Sequence, residues 1–162
     1  MASIQERVYI EAPYSQAAEA FERRLGVGPR ASRGTCVLTL ALPVPDGHEI
    51  ARVVNATTER LAHAANYTSR YAISWPAGTT PHGIPTPGFE GVVALSAGED
   101  YAETTLQLDG QYDPPAGALG RAFDAVLGRR IAHATLGALL SGVGEELRAA
   151  HERIEADKSI LS

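Results

Sequence analysis

Cysteine and lysine are almost missing from this sequence: Cys36 is its one cysteine, and Lys158 stands alone among 14 basic residues, the rest being arginine. A lone cysteine closes no internal disulfide, and its place in the apolar run TCVLTLAL marks a small core residue, not a redox centre. Abundant Arg, Ala and Gly with so little Lys suggest a GC-rich bacterial genome. Basic residues adjoin only at Arg23-Arg24 and Arg129-Arg130, and the formal net charge is -5. That removes the electrostatic basis for nucleic-acid binding or for attraction to an anionic membrane. No run of 18 apolar residues occurs, so no stable membrane insertion is expected. The stretch MASIQERVYIEAP has neither the charged leader nor the apolar core of a secretion signal, and a cytoplasmic protein is expected.

Chemical motifs are equally sparse. His48, His63, His82, His133 and His151 show neither HExxH nor another ligand spacing, and no cysteine pair accompanies them, so neither a metal nor a cofactor is expected. Ser141 lies in LLSGVG inside a helical pattern and not in a GxSxG elbow, which leaves no esterase nucleophile. The GVG at 26–28 follows a helix instead of opening one, so it is no phosphate loop.

What is present is an ordinary globular mixture, 44% hydrophobic and 20% charged over 162 residues. That is the size of one domain spanning 1–162, able to bury roughly 70% of its unfolded surface. RVYIEAP predicts a short strand closed by Pro13. Ser15 is placed to cap a short helix through SQAAEAFERRL, ending near Gly26. From 35 to 111 the period is two. TCVLTLAL sets Cys36, Leu38, Leu40 and Leu42 on one face, and the Asp46-Gly47 turn leads into HEIARVVNAT. TTERLAHAA is readable as a helical turn or a wide connection. NYTSRYAISWP sets Tyr67, Tyr71, Ile73 and Trp75 together, and Pro76 to Gly88 reads as a loop. FEGVVALS and YAETTLQLDGQ, joined by AGED, point Phe89, Val93, Leu95 and then Thr104, Leu106 and Leu108 inward, while Glu90 and Glu103 point outward. Six strands linked mostly as hairpins imply an antiparallel sheet.

From Leu119 to Ile154 no proline interrupts a helical period. Such a helix is too long for a small domain unless it bends or overhangs, with Gly128, Gly137, Gly142 and Gly144 as soft points. Between the last strand and this helix, LDGQYDPPAGALGRAFD reads as a fixed corner: Pro114-Pro115 end the pairing, Gly117 and Gly120 allow a close turn, and Phe123 is the first large residue aimed at the sheet.

The order strand, short helix, antiparallel strands, long C-terminal helix resembles the helix-grip fold of the START-like (SRPBCC) superfamily. The stretch Gly110-x-Tyr112-x-Pro114-Pro115-x-Gly117-x-Leu119-Gly120-x-x-x-Asp124, with Arg130-Ile131-Ala132 and Ala134-Thr135 beyond it, is similar to the last-strand-to-helix corner of the polyketide cyclase/dehydrase-like branch. The resemblance implies an α+β fold: a curved antiparallel sheet of about six strands gripping a long C-terminal helix, with one or two short helices after the first strand. It further implies a cavity between sheet and helix for a hydrophobic or amphipathic small molecule, lipid or polyketide-like. Tyr71, Trp75, Phe89, Leu106, Phe123 and Leu127 are the candidates to line it, mixing apolar walls with a few polar tips.

Three functions compete. A carrier of a hydrophobic ligand fits the lack of any catalytic constellation. A cyclase or dehydratase needs only a shaped cavity and one or two polar groups moving protons. A partner protein would work through an exposed apolar surface, and a homodimer is compatible with the sequence. His82, in the Pro/Gly loop, and His133, on the helix but off its apolar phase, are the histidines whose reach toward a cavity is open. Arg121 and Asp124 are spaced to pair on the helix surface.

Overall fold

The computed structural model describes residues 2–43, 48–61, 66–79, 85–113 and 121–161, the side chains of 121–128, of Ile131 and of a few strand-end residues excepted. The elements in chain order are β1 (Ala2–Ile10), α1 (Tyr14–Leu25), β2 (Arg33–Pro43), β3 (Glu49–Arg60), β4 (Thr68–Trp75), β5 (Gly78–Thr79), β6 (Pro85–Thr86), β7 (Phe89–Ala97), β8 (Thr104–Tyr112) and α2 (Arg121–Leu161). Six of the strands form one antiparallel sheet in the order β1-β8-β7-β4-β3-β2. β5 and β6 make a separate two-stranded ribbon within the stretch read as loop.

β1 and β2 are the edges of this sheet, and besides α1 it is chiefly these two strands that α2 packs against. In a flat sheet six strands would hold those edges about 24 Å apart, twice the diameter of a helix. One helix reaches both because the sheet curls around it, so this is an α+β helix-grip architecture.

The inner face follows the alternation of the strands. β4 buries Ser69, Tyr71, Ile73 and Trp75, β7 buries Phe89, Val93 and Leu95, and β8 buries Thr104, Leu106, Leu108 and Tyr112. α2 answers with Ala132, Thr135, Leu136, Leu139 and Val143, spaced by three and four. α1 fills one end of the concavity with Ala17, Ala20, Phe21 and Leu25, and the Phe21 ring lies 5.1 Å from that of Tyr71.

α1 begins at Tyr14 after Pro13, whose side chain has nothing to cap with; Ser15 lies inside the first turn and is not the cap. Proline's fixed φ suits this position, and no side chain caps the first turn. The other end is closed as the sequence indicates: Gly26 is left-handed (φ 72°), and the Val27 amide reaches back to the Glu22 carbonyl. That is a Schellman cap, the physical reason GVG is helix punctuation. Two readings are corrected. TTER is strand, because β3 runs on to Arg60, pairing with Tyr71. Tyr67 is not on the inner face: it sits in a turn at φ 57° and is 65% exposed.

α2 is one helix of 41 residues, roughly 60 Å long, and it overhangs: residues 151–161 are all exposed. Among the described residues no helix is long and apolar enough to cross a membrane.

Candidate binding site on the inner face

The inner face divides into two halves. Around Tyr71, Val93, Leu95 and Leu106 it is covered by α1. Around Trp75, Phe89 and Tyr112 it carries a layer of aromatic side chains, opposite one another in register: Trp75 against Phe89 and Phe89 against Tyr112. The Trp75 and Phe89 rings stack at 4.6 Å with 23° between their planes. Such a pair adds about 0.5–1.5 kcal/mol beyond its burial. The indole N–H donates to the Pro87 carbonyl at 3.0 Å, which fixes the tryptophan rotamer.

Two glycines explain why the layer lies flat. Gly91 and Gly110 face one another across β7 and β8, and a Cβ on either would come within 2.7 Å of Phe89 Cζ. The phenyl ring therefore rests on bare backbone, where any side chain would lift it. A depression of about 460 Å³ at the strand ends is lined by the outward-facing Ser74, Glu90 and Gln111 together with Trp75, Phe89 and Asp113, so it lies at the outer rim of the sheet and not on the inner face.

Four of the six predicted residues are thereby placed on one surface: Tyr71, Trp75, Phe89 and Leu106 are all buried there. Phe123 and Leu127 belong to the first turns of α2, but their side chains lie outside the described residues. His63, His82 and the Arg121–Asp124 side chains do so too. His133 is 80% exposed and donates one hydrogen bond from Nδ1 to Glu6 Oε1 at 2.8 Å, so it stands at the surface and not in the core. Glu90 is exposed, as its parity requires.

The polar group of this face was missed in the sequence. Tyr71 donates to Glu22 Oε1 at 3.0 Å, Arg60 Nε lies 3.1 Å from the same oxygen, and Tyr14 and Ser69 share a short hydroxyl contact beside them. Burial pushes the Tyr71 hydroxyl well above the usual phenol range; the Ser69 hydrogen bond opposes this, and the negative charge of Glu22 adds to it. Tyr71 is thus a neutral donor held to a carboxylate. The parity of Tyr71 was legible, but Glu22 is on α1 and Arg60 on β3, and only the tertiary fold brings them together. Cys36 is a buried thiol pushed up by burial, with Arg24 pulling the other way. Among the described residues no group of three His, Cys, Asp or Glu is placed to hold a metal.

No protein-family model matches this chain, and no curated protein matches it. Solved structures do. TTHA0849 from Thermus thermophilus is 16% identical, covering 92% of this chain and 99% of its own, with a TM-score of 0.51. XoxI from Bacillus cereus is 12% identical over 93% of this chain and 99% of its own (TM-score 0.47). Ms6760 from Mycobacterium smegmatis is 13% identical over 92% of each chain (TM-score 0.46). At 16% identity the likeness to the Thermus protein shows the fold alone: a six-stranded antiparallel sheet with a C-terminal helix, shared with a small bacterial protein.

Proposed function

We propose that this chain is a single START-like helix-grip domain that binds a hydrophobic or amphipathic small molecule, lipid or polyketide-like, between the aromatic half of its sheet and α2. The observation that carries the reading is the Trp75–Phe89 stack laid flat over Gly91 and Gly110. Two glycines in register on an inner face are costly for a plain core, because they remove side-chain volume and leave the backbone free. Here they make room for a smooth aromatic floor, the kind of surface that a ring system or an acyl chain covers without needing directed hydrogen bonds. The resemblance of residues 110–135 to the strand-to-helix corner of the polyketide cyclase-like branch points the same way, and we assign the protein to the cytoplasm.

The test is to purify the protein, record native mass spectra, then denature it and identify released organic compounds by mass spectrometry. A discrete adduct of defined mass that disappears on Trp75→Ala supports the reading. A bare protein, unchanged after incubation with a panel of fatty acids and aromatic polyketides, overturns it.

A second reading, a cyclase or dehydratase using the same inner face, draws on the Tyr71–Glu22–Arg60 group in the half under α1: the phenol is kept protonated, and catalysis requires its one O–H, donated to Glu22 in this structure, to turn to a substrate carbonyl. Tyr71→Phe separates the two: an enzyme loses turnover of a poly-β-carbonyl substrate while retaining its binding, whereas a carrier shows no turnover to lose.

A further inference from the structure

The overhanging end of α2 is not polar all round. Leu147, Ala150, Ile154 and Leu161 recur at helical spacing and share one face. Leu147 is partly buried against the core, whereas Ile154 is exposed and Leu161 is 87% exposed. Along this stripe a groove of about 530 Å³ opens between α1 and α2, with Ala20, Leu147, Ala150 and Ile154 as its apolar lining. The charges of its α1 wall are already paired: Arg23 binds Glu19 and lies 3.9 Å from Glu146.

The stripe is symmetric about Ile154. Leu147 lies two helical turns before it and Leu161 two turns after, about 10 Å each way, so the stripe turned end for end matches itself. The charges beside it follow the same rule. His151 and Glu155 stand on one flank, Arg153 and Asp157 on the other, and on each flank the basic residue precedes Ile154 and the acid follows it. Two such helices packed antiparallel about a two-fold axis at Ile154 set each flank against its own copy in reverse order. Arg153 then meets Asp157 of the second copy, His151 meets its Glu155, and Leu147 meets its Leu161. A parallel pair would instead set the basic residues together and the acids together. Of the other charges nearby, Glu146 is engaged by Arg23 and Lys158 lies 3.5 Å from Glu155, while Arg148 and Glu152 lie farther round the helix.

We propose that this stripe is the interface of a homodimer in which the C-terminal ends of two α2 helices pack antiparallel, each closing the other's groove against α1. The stripe is about 21 Å long and one helix wide, which with the α1 wall gives on the order of 1,000 Å² buried in all, the low end for a specific interface. The dimer is therefore reversible and assembles at micromolar concentration. Nothing in this pairing depends on a ligand.

Sedimentation equilibrium over about 1–500 μM tests it. The expected mass rises with concentration from that of one chain towards twice that. Ile154→Asp, at an exposed position, weakens dimerisation at least about tenfold while the helical circular dichroism is kept. Arg153→Asp and Asp157→Arg each weaken the dimer alone, and mixing the two variants restores it, because only the mixture supplies opposite charges at both contacts. A merely structural role for either residue produces no such rescue. A chain that stays monomeric throughout, a dimer as tight in Ile154→Asp as in the wild type, or a mixture no tighter than its components overturns the proposal. A monomer that floats with phosphatidylcholine vesicles assigns the stripe to a lipid surface and overturns it as well.

Discussion

Replacing three glycines of α2 by alanine, one at a time, separates helix propensity from packing. In a helix interior Gly is about 1 kcal/mol worse than Ala, so a substitution with open space around it stabilises. Gly137 and Gly144 have nothing within 4 Å of a built Cβ. Gly142 differs: its Cβ would come within 2.8 Å of Arg24 Cγ, and closer still to Cδ and Nε. The Arg24 side chain crosses α2 at this point to donate from Nη2 to the Val37 carbonyl of β2, and its Nε–H is buried without a partner among the described residues. Overpacking costs about 1–3 kcal/mol, and a strained charged hydrogen bond loses about 1.5 kcal/mol more. Against the propensity gain, Gly142→Ala should be destabilising by about 2 kcal/mol, whereas Gly137→Ala and Gly144→Ala each gain up to about 1 kcal/mol. For a chain of this size that is a melting point lowered by about 4–8 °C in the first case and raised by about 2–4 °C in the others. Urea unfolding gives the free energies directly. In an Arg24→Ala background the clash is gone and Gly142→Ala should gain up to about 1 kcal/mol like the other two, a coupling of about 3 kcal/mol. If Gly142→Ala stabilises as much as its two neighbours, or if the penalty persists without Arg24, the packing of α1 on α2 described above is wrong.

Three further outcomes are expected. Leu106→Ala, at a fully buried position between Leu95 and Val8, should cost about 2–5 kcal/mol in urea unfolding; a loss below 1 kcal/mol would mean the α1 half of the face is open. Gly91→Ala should tilt the Phe89 ring and disturb the Trp75 stack, read as a change in tryptophan emission and near-ultraviolet dichroism larger than that of Gly144→Ala. Native Tyr71 holds its proton to higher pH than the unfolded chain does, so stability is fully present below about pH 10 and falls as pH rises beyond it. Tyr71→Phe should cost about 1 kcal/mol at neutral pH and flatten that alkaline fall; equal alkaline slopes for the two proteins would show that Tyr71 does not carry it.

The strands and their inward faces were legible because they obey a local rule. With one side buried, the alternation of Cys36-Leu38-Leu40 or of Leu106-Leu108 can be satisfied in a single phase. The long helix was legible for the same reason at period 3.6 over Leu119 to Ile154; its run on to Leu161, and the choice of an overhang over a bend, were not. The failures share another cause. Arg60 looked like part of a polar connection because TTER carries no apolar alternation, yet Thr58 binds the Leu25 carbonyl at 2.7 Å and Arg60 binds Glu22, so tertiary partners hold the strand straight. Tyr67 followed the right parity but stands one residue beyond the strand, where a turn reverses its direction. Strand order, the curl that brings β1 and β2 to one helix, and the resting of Phe89 on two glycines from different strands are relations between distant residues. No window of sequence contains them.

The central claim is that the aromatic half of the inner face receives a ligand, and equilibrium titration of Trp75 emission with a hydrophobic small molecule tests it most directly. The account predicts a saturable one-to-one change with dodecyl phosphate that weakens at least about tenfold in Phe89→Ala, in line with the loss of one aromatic contact. Emission that stays constant, or that drifts without saturating and is indifferent to Phe89, would contradict it.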